Sequence, residues 1–162
     1  MWNELKNKMF IIIVAILVLF GLLFFVTNYK NKQTVEDAEN PYDKDTLRQE
    51  TIDLLDDPDY QNIIVPDELD ERIESGEPTT VYYFSPTCSY CQKTTPILAP
   101  LADDLDVDMV KMNLLEYDKM DYYDVEGTPT LRHYEDGEEV ASMVGYHEKE
   151  EFEQFFEEYV LD

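Results

Sequence analysis

The sequence predicts an α/β domain, a central mixed β-sheet flanked by helices, preceded by one N-terminal transmembrane helix. Three observations carry this. Residues 9–26 form the uninterrupted apolar run "MFIIIVAILVLFGLLFFV". From about residue 60 onward, short β-branched and aromatic stretches alternate with amphipathic ones, the pattern of strands and the helices that cover them. Near the end, Phe152, Phe155, Phe156, Tyr159 and Val160 recur at i, i+3, i+4, i+7 and i+8, one apolar helical face opposite a glutamate-rich one.

The apolar run makes roughly 27 Å of helix at about 1.5 Å per residue, close to the thickness of a bilayer's hydrocarbon core. Lys6 and Lys8 resemble the basic opening of a signal peptide, but the run is long for one. Thr27, Asn28, Tyr29 and Lys30 follow it, in place of an Ala-x-Ala-like cleavage site. The reading is a retained single-pass anchor within residues 1–32. Lys30 and Lys32 balance Lys6 and Lys8, so positive charge alone does not orient it.

The chain carries 37 acidic against 12 basic residues, a formal charge of −25, and every acid except Glu4 lies beyond the lysines that flank the run. Such a field repels nucleic acid and anionic headgroups and keeps a tethered domain soluble. No nucleic-acid partner is expected. Residues 33–58 are acidic, poor in apolar side chains, and contain Pro41 and Pro58. They read as a linker, a stalk lifting the domain off the membrane, with one short helix over residues 47–55 and Thr46 and Gln49 spaced as its capping box.

The domain, residues 59–162, opens with "YQNIIV" as a strand. "PDELDERIES" is a helix with proline in its first turn and Gly76 at its end. "TTVYYF" carries no charge and suggests a central strand buried on both faces. A helix then starts at the cysteines and runs to about residue 105. "VDMVKMN" alternates like a strand, and "LLEYDKMDYYD" reads as a further helix. "TPTLRHYE" and "EEVASMVG" form two strands joined at Asp136 and Gly137. The order is β-α-β-α-β-α-β-β-α.

Cys88 and Cys91 are the only cysteines, and three chemistries compete for them. Zinc needs about four ligands, and the remaining candidates of the usual type, His133 and His147, fall on different predicted elements. A purely structural disulfide closing so short a loop removes little unfolded-chain entropy. A redox dithiol fits C-x-x-C beside a βαβ pattern. At a helix start the sulfur of Cys88 meets unpaired N–H groups and the positive end of the dipole, which favour thiolate. Cys91, one turn on, points inward and resolves the mixed disulfide that Cys88 forms.

Together with Pro96, Gly127, Thr128, Pro129, Thr130, Gly137, Gly145 and Lys111, in this order around the pair, the chain from about residue 60 to 161 resembles the thioredoxin family. The resemblance implies the thioredoxin fold, a kink at Pro96, and a cis peptide before Pro129. It also implies a Thr128 backbone that pairs with substrate, and a Lys111 near the active site. Thr128 is expected to face the sulfurs and tune them. Three departures stand out: Tyr82 where the family usually has a buried aspartate, Thr87 where it has tryptophan, and Ser89-Tyr90 without the proline of the reducing thioredoxins. Without the aspartate, release of substrate by Cys91 is expected to slow unless Lys111 or water assists. Tyr90 and Ser89 border the pair. Lys93 reads as a solvated lysine, and His133 and His147 as surface residues.

The resemblance implies a bacterial thiol–disulfide oxidoreductase with a redox-active Cys88–Cys91 disulfide and no metal or cofactor. It would be held at the cell membrane through residues 9–26, its domain extracytoplasmic, with protein thiols and disulfides and a membrane redox carrier as partners. A chain whose only cysteines are the motif suits an oxidising compartment. Two other readings fit the same residues: a reductase dedicated to a pathway such as cytochrome maturation, and a non-catalytic binding or export accessory protein.

Overall fold

The computed structural model describes residues 2–37 and 40–161. Helix α1 spans Trp2–Asp37, and its segment Lys8–Gln33 is long and apolar enough to cross a membrane. The apolar side chains from Met9 to Val26 that are bulky face outward on every side of it.

The sheet is built from residues 79–144. Strand β1 (Thr79–Phe84) is wholly buried and pairs in parallel with β2 (Met109–Asn113). On its other side it pairs antiparallel with β3 (Thr130–Glu135), which forms a hairpin with β4 (Glu138–Val144). The strand order is β2-β1-β3-β4. Between β3 and β4, Asp136 and Gly137 take φ values of 51° and 84°. Such paired positive angles match the twist of a tight hairpin. A β-carbon at Gly137 would stand 3.1 Å from the Ile73 carbonyl.

Successive side chains of a strand point to opposite faces, and β1 divides accordingly. Tyr82 and Phe84 join Leu98, Leu101, Phe152, Phe155 and Phe156, from α4 (Cys91–Asp104) and α5 (Lys149–Tyr159). Val81 and Tyr83 join Leu69, Val110, Met112 and Tyr123, under α3 (Pro66–Ser75). Each fully buried Phe contributes roughly 1.5–3 kcal/mol. The expected fold is what the chain adopts: a mixed sheet covered by helices on both faces.

The helix ends follow their residues. Pro66 opens α3, and Gly76 closes it in the left-handed conformation at φ 79°. Glu148 and Glu151 form a reciprocal capping box at the start of α5. Of its predicted apolar face, Phe152, Phe155 and Phe156 are buried, while Tyr159 stays 39% exposed.

Four expectations are corrected. "YQNIIV" is not a strand. Pro58–Tyr60 form a single 3-10 turn, Asn62 has φ 62°, and one parallel bridge from Ile63 to Lys111 remains. "LLEYDKMDYYD" is not a helix but a series of turns. Its side chains are claimed by other elements: Tyr123 bonds the carboxylate of Asp70 at 2.9 Å, and Arg132 bonds the carbonyls of Tyr123 and Asp124. β2 is buried at all five positions instead of alternating.

The linker is the fourth. Its helix α2 covers only Gln49–Ile52, starts from Arg48 without a side-chain cap, and Thr46 is exposed. Instead of standing free, residues 40–57 lie against the domain. Val35, Tyr42 and Leu47 form a buried cluster bordered by Ile52, Leu55, Ile63 and Tyr117. Buried Asn113 donates to the Tyr42 hydroxyl and the Thr51 hydroxyl, each at 3.2 Å. Glu116 accepts from the Arg48 N–H at 2.8 Å and pairs with Lys44.

Candidate active site

The site stands where β1 ends. After Phe84 the chain turns through residues 85–90 into α4. Cys88 therefore precedes the helix by three residues instead of opening it, yet the backbone is already coiled around it. The Gln92 N–H bonds the Cys88 carbonyl at 3.1 Å, and the Cys91 N–H bonds the Cys88 sulfur at 3.3 Å. The sulfur occupies the place of a capping side-chain oxygen, accepting one of the helix's otherwise unpaired donors. Gln92 also bonds the Pro86 carbonyl at 2.8 Å and steadies the loop.

The two sulfurs differ in exposure. Both are thiols, Cys88 half-buried and Cys91 buried. Burial pushes the Cys88 thiol up, but hydrogen bonds from the Cys91 side chain, the Thr128 side chain and the Cys91 and Tyr90 backbone outweigh it, and its pKa falls below the ordinary thiol value. For Cys91, burial dominates and the hydrogen bond with Cys88 adds to it, so its pKa is pushed up to about 12. One sulfur is poised to ionise and its neighbour to stay protonated.

Opposite lies the loop before β3. The Thr128-Pro129 peptide is cis. The Cys88 thiol donates to the Thr128 carbonyl at 3.2 Å, and the Thr128 side chain bears on both sulfurs. Thr130 bonds the Gly127 carbonyl at 2.7 Å, and the Gly145 N–H bonds the Pro129 carbonyl at 2.8 Å. The loop is thereby tied at both ends. Thr128 thus meets the cysteines, with Ser89 exposed beside them and Tyr90 58% exposed. The Lys93 ammonium sits 5.8 Å from the Tyr90 ring centre.

Lys111 is in register with Tyr82 on the neighbouring strand. Its side chain is on the Tyr82 face of the sheet and 5% exposed, its ammonium donates to the Gln61 carbonyl at 2.8 Å, and burial lowers its pKa against the pull of Asp103, Asp59 and Asp108. His133 corrects an expectation: it is buried, not on the surface, with Nδ1 2.9 Å from the Thr80 hydroxyl. His147 is partly exposed and lies 3.3 Å from Glu151. Among the described residues, no three or more of His, Cys, Asp and Glu converge as a metal site requires.

Sequence reasoning missed what lies beneath Cys91. The Thr95 hydroxyl donates to the Cys91 carbonyl at 2.9 Å and lies 3.0 Å from the Tyr82 hydroxyl. Because the threonine proton is committed, Tyr82 is the donor of that second bond. A neutral hydroxyl relay thus runs from β1 to the carbonyl of the buried cysteine. Tyr82 was visible as a departure in sequence; Thr95 carried no signal of its own.

Comparison with known proteins agrees with the fold. The Thioredoxin family model matches residues 61–158. Thioredoxin of Chlamydia pneumoniae is 40% identical over 90 residues, 54% of this chain and 87% of its own length. A protein disulfide-isomerase of Datisca glomerata is 31% identical over 110 residues, 62% of this chain but 22% of its own length. The solved structure of a mutant thioredoxin from Halobacterium salinarum NRC-1 superposes with a TM-score of 0.53 at 27% identity, covering 63% of this chain and 92% of that one. The chain belongs to the thioredoxin family of thiol–disulfide oxidoreductases.

Proposed function

We propose that this protein exchanges thiols and disulfides with protein cysteines outside the cytoplasmic membrane, through the Cys88, Ser89, Tyr90, Cys91 motif. The observation that carries the reading is the contact of the Cys91 N–H with the Cys88 sulfur at 3.3 Å, which makes the exposed sulfur the nucleophile. Acting on a substrate disulfide, the Cys88 thiolate forms a bond to one substrate sulfur and the other leaves as thiolate, taking a proton. Cys91 then gives up its proton and attacks the Cys88 sulfur. The second substrate thiol is released, and the enzyme keeps the Cys88–Cys91 disulfide. Two electrons and two protons pass to the substrate; the same steps reversed oxidise a dithiol.

Around that exchange the Thr128 backbone and Pro129 receive the substrate chain, Thr128 tunes the sulfurs, Ser89 and Tyr90 border the approach, and Lys111 supports the strand beneath. The chain divides into an anchor (1–32), an acidic connecting segment (33–58) and the redox domain (59–162). Two features support an extracytoplasmic domain on a single-pass anchor: the apolar helix, and the confinement of cysteine to the motif in a compartment where spare thiols mispair.

The test is a trap. In membranes from cells making the Cys91→Ser variant, mixed disulfides of Cys88 with partner proteins accumulate, and they vanish when Cys88 is also replaced. A membrane-impermeant thiol reagent labels Cys88 in intact cells after mild reduction. Absence of trapped partners removes the enzymatic assignment; labelling only after lysis reverses the topology.

A further inference from the structure

The docked segment between anchor and domain fastens one particular end of the sheet. Asn113, which donates to the Tyr42 and Thr51 hydroxyls, is the last residue of β2 and is in register with Phe84, the last residue of β1. Leu114 bonds the Phe84 carbonyl at 2.8 Å. The two strands are parallel, so this is the carboxyl end of both, the end from which the Cys88 loop leaves. Three residues lie between Phe84 and Cys88, so the four Cα-to-Cα steps span no more than about 14 Å of chain.

The other side of the segment meets the apolar helix. Asn31 of α1 donates to the Leu47 carbonyl at 2.8 Å. Val26, Thr27, Lys30 and Asn31 share a cleft with Gln49 and Ile52 of α2, and Val26 is the last residue of the apolar run. A flexible chain as long as residues 33–58 can extend to roughly 90 Å and leave the domain free to tumble. Here the helix stays continuous to Asp37 and the stretch 40–57 is clamped at Asn113 and Glu116.

We infer that the 40–57 strap turns the Cys88 end of the domain toward the bilayer, so that the enzyme's partners are membrane-inserted proteins whose cysteines lie close to the lipid surface. This rests on the redox reading above and assigns its substrate class. The exchange is the balanced dithiol–disulfide transfer already described, with the membrane protein supplying or receiving the electron pair.

The test uses the full-length protein in lipid vesicles together with a single-span peptide bearing one disulfide. The disulfide stands either a few residues from the lipid or beyond a long proline-rich spacer; a soluble disulfide peptide reports basal activity. Restricting Cys88 to a thin layer raises its effective concentration there, so the near-lipid disulfide reacts faster than the distant one by about tenfold. Thr51→Arg places a long charged side chain at a buried strap position and leaves the whole of 59–162 unchanged. It abolishes the preference, keeps the rate on the soluble peptide, and exposes residues 40–57 to protease. Equal rates for near and distant disulfides in the native protein overturn the inference, as does a preference that survives once proteolysis shows the strap released. Failure to react with any of the three disulfides, the soluble one included, strikes instead at the redox reading beneath it.

Discussion

The backbone N–H of Cys91 points at the sulfur of Cys88 across 3.3 Å, so the helix that buries one cysteine stabilises the anion of the other. The pair is asymmetric because of where the chain enters α4. Cys88 stands ahead of the helix and is half-exposed, while Cys91 is the first helical residue and is sealed beneath the sheet.

That asymmetry sets a pH dependence. Only the thiolate alkylates at an appreciable rate, and a lowered pKa raises the thiolate fraction at neutral pH. The iodoacetamide reaction of Cys88 in the reduced protein should therefore reach half its maximum below the pH of a free cysteine peptide, because its hydrogen bonds outweigh burial. In a Cys88→Ser variant, Cys91 should stay unreactive until strongly alkaline pH, since burial lifts its pKa to about 12. Rates followed by mass spectrometry decide; coincident profiles would mean that the two sulfurs share one environment.

Tyr82→Phe removes the donor at the head of the Tyr82, Thr95, Cys91 relay. One buried hydrogen bond is lost, about 0.5–1.5 kcal/mol, readable as a lower urea midpoint. The alkylation profile of Cys88 should not move, because the relay ends on the Cys91 carbonyl and not on the Cys88 sulfur. A shifted profile with unchanged stability would show that the phenol acts on the chemistry directly.

Asn113→Ala takes away the two bonds that Asn113 gives the strap, to Tyr42 and Thr51. Leaving those buried hydroxyls without their donor costs about 1–3 kcal/mol. Limited proteolysis should cut within residues 40–57 well before the domain itself. Native-like protection of that stretch would show that the Lys44 and Arg48 contacts with Glu116 suffice.

Phe156 is fully buried at the foot of α5, and Phe156→Ala should cost about 3–5 kcal/mol. Equilibrium unfolding in urea gives the number directly. A loss under about 1 kcal/mol, against the usual range for such truncations, would mean that α5 packs far more loosely than its three buried phenylalanines indicate.

The sequence was most legible where one physical demand acts alone. β1 has no charge and is buried on both faces; the buried stripe of α5 repeats at helical spacing; the hairpin of β3 and β4 turns on an Asp and a Gly that accept positive φ. It misled where distant partners override local pattern. Residues 114–124 carry enough Leu, Tyr and Met to suggest a helix. Their conformation is dictated instead by Asp70 and Pro66 on α3 and Arg132 on β3, which claim the hydroxyl and the carbonyl of Tyr123. The strap looked like solvent-borne linker because its average composition is acidic. Three buried side chains, Tyr42, Leu47 and Thr51, suffice to hold it against the domain, and Asn113, the partner of Tyr42 and Thr51, is polar, so no apolar periodicity marks the match. Within the site, the cysteines and the 127–130 loop stood out by spacing, whereas the Thr95 relay depends on a rotamer.

The bulge in the last hairpin bears on how neighbouring copies coexist. His133 pairs with Ala141 and Tyr134 with Glu139, so Val140 is left over between them. The opposite margin of the sheet, β2, is partly occupied by Ile63, which leaves β4 as the strand with an open hydrogen-bonding rim among the described residues. Its kink, and the glutamates at 138 and 139 that precede it, spoil that rim as a template for another strand. When two copies meet, this vulnerable border is bent and negatively charged, so that contact need not end in strand-on-strand stacking.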